Sequence, residues 1–229
     1  MRRSRLAALA AVLSVLTVQP LRADPSNHMW AWTTGGPATW SQLVLNGGAL
    51  VLNASRRGWY ESTGGTNGVG INNYIAGKCG SSDVCNGGDE VHRNFFVFEL
   101  RPGLAITSAE LRLWNPLSPP GFLATSSSLT YSLWDVTNAG ALGSANSLAD
   151  YADLGSGVGY GSFSVDASMN GTFQNLALNA NALASLNSAQ GFWGVGGAID
   201  GGQVVPEPST MVLLGSGLVA VVGMVRRRR

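Results

Sequence analysis

The stretch Ala109–Asn115 reads AELRLWN, and its pattern decides the class of fold. Every second side chain is apolar from Ala109 to Leu113, and the side chains between them are Glu110 and Arg112. A period of two residues is typical of a β-strand with one face in a core and the other in water. A proline follows directly, and proline cannot donate a hydrogen bond to a continuing ladder. The stretch therefore predicts one strand of an antiparallel sheet.

Other short apolar runs, separated by residues that favour turns, predict further strands. These runs are residues 43–52 (interrupted by Gly47 and Gly48), 95–100, 129–136, 163–165, 172–178 and 192–199. Residues 95–100 are apolar on both faces, as in a central strand that is covered on both sides. Many short strands with turn residues between them favour an all-β fold, a β-sandwich or jelly-roll-like domain.

The alternating strands also predict a shared core. The expected core residues are Leu111, Leu113, Leu133 and Leu178, with Glu110 and Arg112 exposed. A shift of one residue would turn the charged side chains inward, and burying an unpaired charge is costly. The register of this strand is therefore expected to be firmly set.

One or two short helices complete the predicted domain. Residues 147–154 and 181–189 are the candidates, with Asn179 or Asn181 as the cap of the second. The side chains expected to face inward are Leu148, Tyr151 and Leu154 in the first helix and Leu183 and Leu186 in the second. Both helices are expected to cover the ends of the sandwich.

The two ends of the chain predict export and anchoring. Residues 1–23 join three early arginines to an apolar run, as in a secretory signal peptide cleaved before Asp24. Residues 205–208 read VPEP, where Pro206 and Pro208 keep the backbone extended. Residues 210–225 carry no charge and predict a transmembrane helix; 15 of them span only ~23 Å, against ~30 Å for a bilayer core. The predicted membrane-stop charges are Arg226, Arg227, Arg228 and Arg229.

This tail resembles the PEP-CTERM sorting signal of Gram-negative bacteria that make exopolysaccharide. The resemblance is carried by Pro206, Glu207 and Pro208, by Gly215, Gly217 and Gly223 in the apolar stretch, and by the basic terminus. It implies a partner, a transpeptidase-like membrane enzyme called exosortase, which cuts near the motif and passes the protein to the cell surface.

The intervening domain, residues 24–204, is also similar to a β-sandwich domain that recurs in PEP-CTERM surface proteins. The start of that domain matches Gly58-Trp59-Tyr60 and, further on, Arg93-Asn94-Phe95. These are packing residues, so the resemblance implies a fold and leaves the activity open.

The charge balance bears on the partners of the exported domain. Eight of the 14 basic residues and one of the 13 acidic residues lie in the two ends, so residues 24–204 keep six basic and twelve acidic residues, a net charge of −6. Nucleic-acid binding needs a basic surface. Nucleic acid is therefore not expected as a partner.

Cys79 and Cys85 are the only cysteines and are predicted to form a disulfide, because exported chains meet an oxidising compartment. Two free thiols, or half of a metal site with Asp89 and His92, are the alternatives; zinc needs four ligands. No metal or cofactor is expected.

Residues 60–92 exceed the ~12–15 residues usual for a structureless connection, which favours a functional loop. Asp83, Asp89 and Glu90 in this segment are compatible with a calcium site and with solvated loop acids. Their spacing differs from that of an EF-hand loop.

The chain holds seven tryptophans, which allow two interpretations. Exposed aromatic rings can stack on sugar faces, whereas most tryptophans of a small sandwich pack in or over its core. The candidates for stacking are Trp30, Trp32, Trp40, Trp59 and Tyr60.

Catalysis has little support in the sequence. His28 and His92 are the only histidines, His28 is expected in a flexible start, and no Gly-x-Ser-x-Gly elbow accompanies them. A pair of carboxylates that cleaves glycosides stays an open alternative, because a sequence does not show how far apart two carboxylates lie in space.

These observations favour a non-enzymatic protein of the cell surface or exopolysaccharide matrix. Its expected partners are the export machinery, signal peptidase, an exosortase-type enzyme and extracellular polysaccharide, with the inner membrane as its site before processing. A secreted domain that binds or cleaves carbohydrate and uses the same sorting route is the alternative.

Overall fold

The computed structural model describes residues 28–33, 35–66, 73–78, 90–101, 103–118, 120–124 and 127–199. This part of the chain forms twelve strands and two α-helices. The strands are β1 His28–Trp30, β2 Ser41–Leu45, β3 Leu50–Asn53, β4 Arg56–Glu61, β5 Ala76–Lys78, β6 Val91–Glu99, β7 Ala109–Asn115, β8 Leu123–Ala124, β9 Ser128–Trp134, β10 Gly159–Asp166, β11 Thr172–Ala177 and β12 Phe192–Ile199. The helices are α1 Leu148–Asp153 and α2 Ala180–Ser188.

The strands form two antiparallel sheets. The large sheet has the order β10-β9-β12-β6-β5-β1-β8, with β4 also paired to β6, and the small sheet has the order β11-β7-β2-β3. Both sheets contribute to one hydrophobic core, in which Leu43 and Leu111 of the small sheet meet Phe96, Tyr131 and Val195 of the large sheet. The predicted all-β class is confirmed: the domain is mostly β, with antiparallel sheets and two helices.

The strand predicted over Ala109–Asn115 is confirmed with the same bounds, and its buried positions alternate with half-buried ones. The predicted shared core is confirmed, since it contains Leu111, Leu113, Leu133 and Leu178. Glu110 and Arg112 point to the opposite face, but they are half-buried instead of exposed. Side chains on neighbouring strands cover Arg112, which lies over the Phe173 ring.

The strand predicted at residues 192–199 is confirmed with the same bounds, and the other predicted strands are present with shifted bounds. Residues 43–52 are two strands, β2 and β3, joined at Gly47, whose φ of +64° suits a glycine turn. The strand expected at residues 163–165 is longer, and those at residues 129–136 and 172–178 end earlier.

Strand β6 is covered on both faces, as its apolar sequence predicted. Phe96 points into the shared core, whereas Phe95 lies in a second cluster with Tyr151 and Leu154 on the outer side of the large sheet. A methyl group at Gly196 of β12 would lie 2.7 Å from the Leu154 backbone. This glycine therefore lets the α1 segment pack directly on the sheet.

The two helices differ in position. Helix α2 links the small sheet to the large one; it is capped by the Asn179 side chain and places Ala182 and Leu186 in the shared core. Helix α1 was predicted to cover an end of the sandwich, and this was wrong. It packs on the outer face of the large sheet through Tyr151. Leu148, predicted to face inward, is 60% exposed, because the helix has only six residues and its buried side begins one turn later.

Four strands escaped prediction: β1, β4, β5 and β8. The flexible start proposed around His28 was wrong, since His28 lies in β1 and is buried. Residues 60–92, predicted as one long loop, contain β5 and the adjoining ends of β4 and β6. These strands are short or rich in polar and small residues, and pairing with distant strands stabilises them.

In the described parts of the chain, no helix combines the length and the apolar character needed to cross a membrane. The predicted signal peptide, residues 1–23, and the predicted transmembrane segment, residues 210–225, lie outside the described residues.

Candidate functional site

Most site residues predicted from the sequence lie outside the described residues. These are the sorting motif Pro206, Glu207 and Pro208, the membrane-stop charges Arg226, Arg227, Arg228 and Arg229, the pair Cys79 and Cys85, and the loop acids Asp83 and Asp89. The proposed disulfide and the two interpretations of the loop acids therefore stay predictions.

The structure does show where the strand nearest the sorting motif in the sequence lies. Strand β12 lies between β9 and β6 in the large sheet and ends at Ile199. Pro206 follows seven residues later, so an extended chain carries it at most about 25 Å from Ile199. The motif is thus tied closely to a central strand of the folded domain.

Three of the five aromatic residues proposed for sugar stacking are packing residues. Trp30 and Tyr60 are fully buried and Trp32 nearly so. Trp59 is half-buried, and its indole N–H donates to the Asn73 side-chain oxygen over 3.0 Å. Only Trp40 lies with other aromatic rings on an outer face.

That face is the outer side of the small sheet, where three rings form what we call the aromatic row: Trp40, Trp114 and Phe173. Trp114 on β7 pairs directly with Phe173 on β11, and their ring centroids are 5.0 Å apart. The centroids of Trp40 and Trp114 are 6.0 Å apart. Phe173 is 36% exposed, and both tryptophans are half-buried.

Polar side chains form a second line across the same face, two residues along the strands from the aromatic row. This amide row consists of Asn53, Gln42, Arg112 and Asn175, which are cross-strand neighbours on β3, β2, β7 and β11. The Gln42 amide donates to the Asn53 side-chain oxygen over 2.9 Å, and Arg112 donates to the Gln42 side-chain oxygen over 3.4 Å. The Arg112 guanidinium also lies 4.3 Å from the Phe173 ring centroid, so it connects the two rows.

Buried groups hold the aromatic row from below. The Tyr74 hydroxyl lies 2.8 Å from the carbonyl oxygen of Trp114 and 3.1 Å from that of Trp40. Arg57, with no exposed surface, donates to the carbonyl oxygens of Gly36 and Pro37 in the segment before Trp40. Burial lowers the pKa of Arg57 and raises that of Tyr74. The hydrogen bonds of Arg57 and Tyr74 fix the backbone that carries Trp40 and Trp114.

A separate polar cluster lies at the paired ends of β4 and β6, around Glu61 and His92. Glu61 pairs with His92 across the two strands, and the His92 ring makes an edge contact with Trp59 at 4.8 Å between centroids. The Nε2 atom of His92 is 3.9 Å from a Glu61 carboxylate oxygen, and Thr63 donates to the other oxygen over 2.8 Å. Burial lowers the pKa of His92, and the carboxylates of Glu61 and Glu90 act in the opposite direction.

This cluster predicts a pH-dependent stability. In the folded state His92 stays neutral below its ordinary pKa of 6.5, whereas the unfolded chain takes up a proton there. The unfolded state then binds more protons, so the His92 contribution is complete above pH 6.5 and is lost as the pH falls. Urea titrations from pH 7.5 to 5.0 should show a smaller decline in stability for His92→Gln than for the parent chain. Equal declines would contradict the prediction.

The sequence missed Phe173 and the amide row. Their signal was present in residues 172–178, where Phe173 and Asn175 occupy the face opposite Leu176. The alternation within a strand shows on which face a side chain lies, but it does not show which strands are the neighbours of that strand.

The C-terminal end of the chain carries the sorting signal of a known class of exported proteins, the exosortase substrates. Its residues 204–229 match the family model of the PEP-CTERM protein-sorting motif, the C-terminal sorting signal of exosortase substrates. This match confirms the resemblance noted in the tail and implies membrane anchoring before processing by an exosortase-type partner. Searches of the curated proteins and of the solved structures gave no match to the chain.

Proposed function

We propose that the protein is a non-enzymatic component of the cell surface or of the extracellular polysaccharide matrix. The observation that carries this proposal is the PEP-CTERM signal at residues 204–229, which begins five residues after Ile199, the end of β12. The signal peptide delivers the chain to the export machinery and is removed by signal peptidase. Residues 210–225 then hold the chain in the inner membrane until exosortase processes it.

The positions of the reactive side chains support a binding or structural role for the domain. His28 is buried in β1, and His92 packs against Trp59. Arg56 and Arg93, like Arg57, donate to backbone carbonyl oxygens, here of the segments around Leu142 and Tyr151. These contacts attach loops and α1 to the large sheet.

The second candidate is a domain that binds or cleaves carbohydrate and follows the same sorting route. The aromatic row and the amide row favour binding, because they place partly exposed rings and amide groups together on an outer surface. Release of reducing sugar from the producing organism's own polymer would instead favour cleavage and contradict the non-enzymatic proposal.

The sorting step is tested by changing Pro206, Glu207 and Pro208 together to alanine. We expect the unprocessed chain to accumulate in the inner membrane, because the enzyme loses the strip that it recognises. Cell fractionation and the intact mass of the surface-released protein measure this outcome. Ser209→Ala, a change next to the motif, is the matched control and should sort normally. A triple variant that reaches the surface at its usual processed mass would contradict the proposal.

A further inference from the structure

We infer that the outer face of the small sheet binds a neutral polysaccharide chain, with the aromatic row as its stacking surface and the amide row as its hydrogen-bonding surface. The inference rests on the proposed matrix function and identifies the ligand class and the site. It is carried by the side chains that four adjacent strands present on one face.

The aromatic row offers apolar area to a sugar. The Trp40 and Trp114 ring planes are inclined by 33°, and Phe173 makes an edge contact with Trp114 at 61°. Trp40 lies immediately before β2, Trp114 on β7 and Phe173 on β11, and successive ring centroids are 6.0 and 5.0 Å apart. Partly exposed aromatic rings offer apolar contact area while their surroundings stay wet. Such a line of rings contacts several units of an extended chain.

The amide row suits the hydroxyl groups at the edge of the same sugar. An amide side chain both donates and accepts hydrogen bonds, and so does a sugar hydroxyl. Asn53 and Asn175 are exposed, and Gln42 between them is held by hydrogen bonds to Asn53 and Arg112. The two rows are two residues apart along the strands, about 7 Å, so one chain can contact both.

Further along the same face lies a shallow depression of about 180 Å³, lined by Val44, Gly47, Ser108 and Glu110. Val44 and Glu110 are cross-strand partners two residues beyond the amide row. The aromatic row, the amide row and the depression therefore follow one another over about 14 Å in the direction of the strands, and each row runs across the strands. This length fits an oligosaccharide better than a single sugar.

Charge decides between neutral and anionic polymers. The rows and the depression carry one positive and one negative side chain, Arg112 and Glu110, so the face has no net charge. Residues 24–204 as a whole carry a net charge of −6. A polyanion would be repelled by this domain, whereas a neutral chain would not.

The test measures binding by the full chain, purified in lauryldimethylamine oxide, a detergent without a sugar head group. The probes are neutral hexasaccharides of glucose, mannose and N-acetylglucosamine, with polygalacturonate and alginate oligomers as anionic comparisons. Array binding and intrinsic tryptophan fluorescence give the affinity. We expect at least one neutral probe to bind, the anionic probes to bind more weakly, and tryptophan emission to shift.

Phe173→Ala should weaken binding about tenfold, the equivalent of ~1.4 kcal/mol. Phe192→Ala is the matched control, since Phe192 is 47% exposed and also lies beside an arginine, Arg56, but belongs to the large sheet. It should retain the parent affinity. Asn175→Ala is the second variant; its side chain is exposed, so the fold should tolerate the change while hydrogen bonding to the probe is reduced.

Several outcomes would overturn the inference. They are no binding to any neutral probe, preference for the anionic probes, or equal losses in Phe173→Ala and Phe192→Ala. A dimer that dissociates in Phe173→Ala, without glycan binding, would assign the face to a second copy of the chain. None of these outcomes affects the proposed sorting, which fails only if the triple variant of the PEP motif still reaches the surface in processed form.

Discussion

Leu111→Ala is expected to lower the free energy of unfolding by about 2–5 kcal/mol. Leu111 has no exposed surface and lies at the centre of the small sheet, where Leu43 and Leu176 are its cross-strand partners. These neighbours are held by strands on both sides and cannot move far into the space left by the removed atoms. The substitution therefore loses apolar burial and leaves a cavity. Guanidinium titration of residues 24–204 measures the change.

Val51→Ala is the matched control for this prediction. Val51 is 44% exposed on the outer face of the same sheet, so its truncation should change stability by about 0.5 kcal/mol or less. Equal losses in the two variants would contradict the assignment of the inner and outer faces, on which the proposed glycan surface also depends.

Gly77→Ala is expected to destabilise the domain by about 3–5 kcal/mol, from two separate causes. Gly77 has a φ of +100°, which an alanine adopts only with strain. A methyl group there would also overlap the carbonyl oxygen of His28. Strand β5 pairs with β6 on one side and β1 on the other, so relieving the overlap would separate β1 and β8 from the rest of the large sheet.

Gly103→Ala separates the two causes. Gly103 has a similar φ of +87°, but a methyl group there would meet no atom within 4 Å. This variant should show the strain alone, about 1–2 kcal/mol. The denaturation midpoints of both variants and of the parent chain measure the difference. A Gly77→Ala variant no less stable than Gly103→Ala would show that β1 and β5 are not packed as closely as described.

The strands that the sequence predicted well are those with a clear period of two. Strand β7 has the predicted bounds, and its leucines lie in the predicted core. The period works because successive side chains of any strand point to opposite faces, a property of the local backbone. Strands β1 and β5 have three residues each and hold Gly77 or polar ends, so they show no such period.

The candidate binding face was predictable only in part. Trp114 lies on the same face as Glu110 and Arg112, which the pattern predicted to be exposed, and residues 172–178 were predicted as a strand that includes Phe173. Trp114 and Phe173 are 59 positions apart, however, and meet only through the pairing of β7 with β11. Conversely, Trp30 and Tyr60 were proposed to stack on a sugar, but both side chains are fully buried. The composition gives the number of aromatic residues, but it does not show which of them are buried in the core.

The sequence by itself determined the sorting signal of the protein and the class of its fold. The PEP-CTERM motif is a run of consecutive residues, so it can be identified without knowledge of the fold. The presence of a strand, and the face on which each of its side chains lies, follow from residues one and two positions away in the sequence. The tertiary structure decided which strands lie side by side, that α1 covers the outer face of the large sheet, and that rings and amides from four strands share one surface. These arrangements depend on contacts between residues far apart in the chain, where the packing of the whole core, and no local pattern, selects the partner.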